Sequence, residues 1–350
     1  MKIMWFEDWR LFYTDCDPNM GTGYCTMQSC FDFSRCPTDR TKFSFSIDPL
    51  RSQSLKEIED SDQYAALKQA MVRHPWYTPD PSQACVLFPE VDTLCVISAC
   101  GGDKFEFKGE MGPWTVADQL AKLTHWNGGR NHLVLEIHDS ERMRYDIGKA
   151  MGVKSGFAAE RYRLGFDISF PLYAQAPVNE TAIELSNRRG GFARRPSKYL
   201  LTFKGGNNRR HRLRPKVRAG LDDSSRGDSG DYHDLMLNTK FALIVQGNGL
   251  HSYRLTEAMR ANAVPVILAD NYVLPFSEAV RWDEIAIFVP ESQWASIPDV
   301  IGRIDDEALA RMREKLATVY EAHFASMARM VDTVLHITRD RIYAHGFTGR

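Results

Sequence analysis

The stretch Phe241-Ala-Leu-Ile-Val-Gln-Gly-Asn-Gly-Leu-His-Ser-Tyr-Arg-Leu-Thr-Glu-Ala-Met-Arg-Ala-Asn-Ala-Val-Pro-Val-Ile-Leu268 decides the fold. An apolar run suited to a buried strand ends at Val245, and a loop with Gly247 and Gly249 follows. A helix is expected from about Ser252 to Asn262, and Val264–Leu268 reads as the next buried strand. Strand, glycine loop, helix and strand in this order build a mainly parallel sheet covered on both faces. Exposed N–H groups at the helix start favour an anion, and the two glycines let backbone approach a phosphate. Arg254 brings a planar fork suited to phosphate oxygens. Glu257, three residues on, shares its helix face and can accept hydrogen bonds from two sugar hydroxyls. Gly247, Ser252, Tyr253, Arg254 and Glu257 are therefore candidate nucleotide-binding residues, although a solvated Arg–Glu pair on an ordinary helix fits the same pattern equally well. The spacing matches neither a P-loop nor a G-x-G-x-x-G fingerprint. Asp270 stands at the carboxyl end of the second strand, where ligands collect in open α/β sheets; capping the segment that follows is an equal alternative.

The same alternation extends outward in both directions. Towards the amino terminus, strands are expected at Phe43–Ile47, Cys85–Val91, His132–His138 and Phe166–Pro171. Helices are expected from Ser54, with Glu57 at the capping-box position, to about His74, and from Thr115 to Trp126. Tyr199–Gly205 and Ala286–Val289 flank the central unit as further strands, and residues 305–341 carry a helical spacing of apolar side chains, expected to break once and pack back across both halves. Five segments result: a Cys-rich lead over 1–42, a Rossmann-like domain over 43–175, a linker over 176–198, a second Rossmann-like domain over 199–304, and a helical segment over 305–350. Two such sheets in tandem place a cleft between their carboxyl ends.

The chain has 350 residues, 43% of them hydrophobic and 25% charged, with 44 basic against 45 acidic side chains and a net charge of −1. This is globular composition, and the balance disfavours a nucleic-acid binder. The longest apolar runs, Phe241–Val245 and Ala263–Ala269, fall well short of the roughly 20 residues that cross a bilayer. Glu7, Asp8 and Arg10 interrupt any signal-peptide pattern, so a soluble chain without an anchor is expected. Four of seven cysteines, Cys16, Cys25, Cys30 and Cys36, lie in the lead; Cys85, Cys95 and Cys100 follow. Their spacing lacks a zinc knuckle. Disulfides fit better and imply an oxidising compartment, with free core thiols the alternative and at least one cysteine left over.

The chain resembles the exostosin family of glycosyltransferases, specifically the amino-terminal catalytic module of the heparan sulfate co-polymerases. The resemblance rests on Cys25-Thr-Met-Gln-Ser-Cys-Phe-Asp-Phe-Ser-Arg-Cys36, Pro81-Ser-Gln-Ala-Cys-Val-Leu-Phe88 with Asp92-Thr-Leu94, and Trp126-Asn-Gly-Gly-Arg-Asn-His132. It continues through Ser252-Tyr-Arg-Leu-Thr-Glu-Ala258, Val264-Pro-Val266, Leu274-Pro-Phe-Ser-Glu278 and Trp282, in order over most of the chain. It implies a GT-B fold, two facing Rossmann-like domains, with a UDP-sugar held by the second. It also implies inverting transfer with no bound cofactor and no metal, disulfides involving Cys25, Cys30, Cys36 and Cys85, and a Golgi or endoplasmic reticulum lumen. Asp15-Cys-Asp17 and Asp60-Ser-Asp62 lie in a polar lead and a charged helix, not after an apolar strand where a metal-dependent transferase keeps its Asp-x-Asp.

In such a mechanism a base takes the proton of the acceptor hydroxyl, and fixed positive charge stabilises the departing diphosphate. Arg254 and a helix start supply that charge; by resemblance Arg218 joins them, although the loop over 205–217 departs from the family pattern. The base is expected in the first half, from among Asp92, His132, Asp139 and Asp146. From Arg188 to Arg218 the chain holds twelve Lys or Arg, read as attraction for an anionic donor or polymer, or as a solvated linker. Asn179-Glu-Thr181 is a glycosylation sequon. The expected donor sugar is glucuronic acid, with galactose, xylose or arabinose as alternatives, and the acceptor an oligo- or polysaccharide or glycoprotein. Family polymerases carry a second transferase domain, so a single activity is expected here. A dimer with a related transferase, or a non-catalytic subunit supporting an active paralogue, completes the expectations. No nucleic-acid partner is expected.

Overall fold

Short apolar strands with no polar alternation must bury both faces, and this chain does so twice. The computed structural model describes residues 25–51, 61–93, 113–137, 141–143, 145–172, 197–203, 213, 232–247 and 249–346. A single helical turn, α1 (Met27–Cys30), leads into β1 (Phe45–Asp48), α2 (Asp62–Val72), β2 (Val86–Pro89), α3 (Pro113–Ala121), β3 (Leu133–Glu136), β4 (Met151–Lys154) and β5 (Ile168–Ser169). All pair in parallel: β1 with β2, and β3 with β4 and β4 with β5. A parallel bridge between Leu87 and His132 joins the two sets. The second half holds β6 (Tyr199–Thr202), α4 (Tyr232–Leu237), β7 (Thr239–Val245), α5 (Tyr253–Arg260), β8 (Val264–Leu268) and β9 (Ile287–Phe288). Its sheet runs β6-β7-β8-β9, again wholly parallel. The helices α6 (Ile297–Gly302), α7 (Asp306–His323) and α8 (Met327–His345) follow.

Several boundaries differ from expectation for local reasons. The described part of α2 starts at Ser61, whose hydroxyl accepts the Tyr64 N–H at 3.2 Å; Ser54 and Glu57 lie outside the described residues. The helix expected to reach Trp126 stops at Ala121, because Asn127-Gly-Gly129 enters a turn in which Gly128 and Gly129 have φ of 62° and 89°. Strand β4 has no apolar run to announce it, since Gly152 interrupts it. There a Cβ would lie 3.1 Å from the Asp167 carboxylate and 3.3 Å from Met143 and Phe157. The 176–196 part of the linker, with the sequon, lies outside the described residues.

The last helices tie the halves together. Helix α7 packs on the second sheet, where the Arg313 guanidinium donates to Thr239 O at 2.7 Å. The break falls at Phe324, buried against Phe276 and Trp282, and Ser326 caps α8 through the Arg329 N–H at 3.3 Å. Helix α8 then crosses onto the first half, lying against α2 and donating from Tyr343 Oη to Pro37 O at 2.7 Å. Arg341 is only 5% exposed. It donates to Phe166 O at 2.6 Å and Asp167 O at 2.8 Å in the first half. In the second half it holds Glu278 through two hydrogen bonds.

A backbone seam also joins the halves. Ala158 and Tyr272 form an antiparallel bridge; the Ala159 N–H donates to Asn271 O at 2.9 Å and the Val273 N–H to Phe157 O at 3.1 Å. These segments leave the carboxyl ends of β4 and β8, so the two sheets meet carboxyl edge to carboxyl edge. Disulfides pair Cys25 with Cys30 and Cys36 with Cys85. The second spans 49 residues of sequence, and closing a loop of that size removes about 4 kcal/mol of unfolded-chain entropy. Cys16, Cys95 and Cys100 lie outside the described residues. No described helix is long and apolar enough to cross a membrane.

Replacing Arg341 by Met strips a buried cation from Glu278 and two carbonyls. It should cost about 3–5 kcal/mol in urea denaturation, and Arg341→Lys should recover little, because a compact ammonium lacks the planar fork that reaches two carbonyls and both Glu278 oxygens at once.

Candidate active site

The carboxyl edge of the second sheet is built from four strand ends. At β7, Gly247 leads towards α5, and Ser252 caps that helix with extended φ of −148° and ψ of 135°. Its hydroxyl accepts the Arg254 N–H at 3.4 Å and lies 3.4 Å from Nη1 of the same arginine. The Arg254 side chain therefore folds back over the first turn of its own helix, and its guanidinium carbon sits 5.4 Å from the Phe203 ring centre. This cation–π contact fixes a half-buried positive charge at the helix start. The first turn carries no acidic residue, so helix dipole and guanidinium act in the same direction on an anion. Glu257 lies one turn further, half-buried, while Leu255, Ala258 and Met259 anchor the opposite face in the core. Tyr253 stands 43% exposed beside them, its phenol pushed up by partial burial.

Asp270 is committed to a local exchange. Its carboxylate accepts the Glu291 N–H at 3.1 Å, and its own N–H donates to Glu291 Oε1 at 3.2 Å. Gln246 Nε2 donates to the same Glu291 oxygen at 2.5 Å. The partner of this carboxylate is the backbone at Glu291, well beyond the segment that immediately follows Asp270. Burial raises the Glu291 carboxyl above the usual range, and the Asp270 charge adds to the rise against its hydrogen bonds.

Three of the four base candidates in the first half lie among the described residues. Asp92 is buried at the carboxyl end of β2, where its carboxylate accepts the Ser61 N–H at 2.6 Å and so braces the start of α2. His132 is fully buried, with Nε2 3.0 Å from Asp48 and Nδ1 3.0 Å from Arg130 O. Both ring nitrogens face oxygen acceptors, and neither faces an open cleft. Asp146 is exposed and accepts the Gly148 N–H at 2.8 Å. Lys149 N–H bonds Gly128 O at 2.7 Å, which puts this turn at the amino edge of the sheet, the end away from α5. Asp139 and Arg218 lie outside the described residues.

Three groups at the edge were not anticipated. Glu136 and Lys154, register partners at the carboxyl ends of β3 and β4, are buried with 3.8 Å between charges. Burying such a pair rarely gains stability. A charged residue inside an otherwise apolar parallel strand, as in Leu133-Val-Leu-Glu136, was the available signal. His251, buried just before the Ser252 cap, packs on Gly156 of the first half. Among the described residues, no three His, Cys, Asp or Glu side chains converge as metal ligands.

The Exostosin GT47 domain matches residues 31–304. Exostosin-1 of Pongo abelii is 29% identical over 92% of this chain and 46% of its own length. Exostosin-1b of Danio rerio is 30% identical over 91% of this chain and 46% of its own length. Among solved structures, WaaG, described as a glycosyltransferase involved in lipopolysaccharide biosynthesis, aligns over 83% of this chain and 98% of its own, with 8% identity and a TM-score of 0.36. The family match spans both halves of a chain whose parallel sheets meet at their carboxyl edges, with terminal helices crossing both. The chain belongs to the exostosin GT47 family, and it spans less than half the length of the relatives it matches.

The raised Glu291 carboxyl carries a pH signature. A carboxyl whose folded pKa exceeds its unfolded value costs stability as pH rises through that window. Glu291→Gln, which keeps an oxygen acceptor, should therefore raise the thermal midpoint at neutral pH, and the gain should vanish in acid; a pH series of melting curves checks it.

Proposed function

We propose that this chain transfers a sugar from a UDP-sugar to the end of a glycan acceptor, with inversion and without a bound metal. The observation that carries the reading is the start of α5: a capped helix N-terminus with Arg254 folded over it and Glu257 one turn on. Diphosphate at the first turn and ribose hydroxyls on Glu257 fit that spacing. The acceptor oxygen attacks the anomeric carbon as its proton passes to a base. The bond from that carbon to the diphosphate breaks, and UDP leaves with the electron pair, its charge met by Arg254, the helix start and Arg218. We assign the base to Asp139, the candidate that most closely follows β3 in sequence. Asp92, His132 and Asp146 are turned to other partners.

Glucuronic acid is the proposed donor sugar; galactose, xylose and arabinose are the alternatives. The proposed acceptor is an oligo- or polysaccharide or a glycoprotein, and a related transferase is the proposed dimer partner. Two disulfides support a secretory-pathway lumen such as the Golgi or endoplasmic reticulum.

A panel of UDP-sugars tested for binding and turnover examines the donor site. Arg254→Ala and Glu257→Ala should each weaken UDP-sugar binding roughly ten-fold or more, as expected for hydrogen bonds to charged groups, and wild-type affinity should fall as salt rises. Binding that ignores both substitutions would sink the reading, and binding without turnover on any acceptor would mark a non-catalytic partner instead. Asp139→Asn should cut turnover by about 10²–10⁴ while leaving UDP affinity unchanged in the same titration.

A further inference from the structure

We infer that His251 is a positioning residue for the donor diphosphate, held in place by Gly156 across the junction of the two halves. The inference rests on the donor reading of α5. His251 immediately precedes the Ser252 cap, so its backbone sets the direction of the first-turn N–H groups. Its side chain is 7% exposed and does not lie against its own sheet alone. It seats on Gly156, the second residue past the carboxyl end of β4, where an added Cβ would stand 2.3 Å from Nδ1 and 3.1 Å from Cγ of the imidazole. Glycine is required there twice over: φ is +81°, a conformation L side chains rarely adopt, and no space exists for a methyl group.

The seat itself is rigid. Gly156 follows the buried Glu136–Lys154 pair, and the Ser155 N–H donates to Glu136 O at 3.1 Å. The residues that follow enter the seam, Phe157 and Ala159 bonding Val273 and Asn271. On the other side, the Thr256 hydroxyl of α5 donates to Leu172 O of the first half at 3.3 Å. The start of α5 is thus braced against the first half at two points, one through a side chain wedged on bare backbone. The consequence is that the anion-binding turn takes its final direction from the half that binds the acceptor. His251 touches neither phosphate nor sugar in this assignment; it acts through the backbone it carries.

The test is a double-substitution cycle read by UDP titration calorimetry, with a melting curve for each protein. Gly156→Ala should weaken UDP binding roughly ten-fold by driving the imidazole and the cap away from their seat. His251→Ala, which opens space and creates no clash, should weaken it by a smaller factor, and it carries the test alone should Gly156→Ala fail to fold. In the His251→Ala background Gly156→Ala should cost UDP binding less than in wild type, because the clash with the imidazole is gone and only the φ strain remains. Additive losses would overturn the coupling, as would variants that melt earlier but bind UDP with wild-type affinity. A wild-type protein that binds no UDP would remove the donor reading and this inference together. Wild-type binding with unmoved variants removes this inference only.

Discussion

The constraint behind this molecule is that two parallel sheets cannot share a continuous ladder, yet their carboxyl edges must be held face to face. The backbone seam between 157–159 and 271–273 solves this with main-chain hydrogen bonds, which do not depend on side-chain identity. Arg341 closes the far side of the junction, satisfying carbonyls from one half and a carboxylate from the other. With the edges fixed, the start of α5, the Glu136–Lys154 pair and Gly156 occupy one region without belonging to one domain.

The Trp126–His132 motif shows how a pattern can be plain in sequence while its work is not. Its residues build a brace. Gly129 has φ of 89°, and a Cβ there would meet backbone at 2.5 Å and 2.6 Å. Asn131, itself at φ of 62°, bonds the Asp32 backbone in both directions and Cys85 O, fastening the Cys-rich lead to the sheet. His132 meets Asp48, which also holds His125. The motif gives the first half its amino edge.

Much of the second half could be read directly because its physics is local. Val264–Leu268 is an uninterrupted apolar run, and Ser252 before Tyr253-Arg-Leu-Thr-Glu257 is a capping residue before an amphipathic turn; both elements fall where expected. The break in the terminal helices was legible from apolar spacing, although not its position at Phe324. What escaped were features defined by partners distant in sequence. Strand β4 depends on Gly152 fitting beneath Phe157 and beside Asp167, and the Ser61 cap of the described helix is held by Asp92, which meets its N–H. Composition near Glu136 could mark a buried charge, but not that Lys154 would answer it. Nor does any spacing announce that His251 finds its seat nearly a hundred residues earlier.

Helix α8 has a bearing on how the protein is made. Its contacts reach back to the first residues of the described fold: His345 meets Gln28, Asp340 meets Arg40, and Tyr343 meets Pro37, each pair separated by 300 residues or more. A nascent chain emerging from the ribosome can assemble the first parallel sheet early, but the face of α2 that awaits α8 stays bare until residues 327–345 have been made. Vectorial synthesis thus leaves an apolar surface open while the whole stretch between α2 and α8 is made, and a chaperone that shields this surface is the helper such a topology calls for.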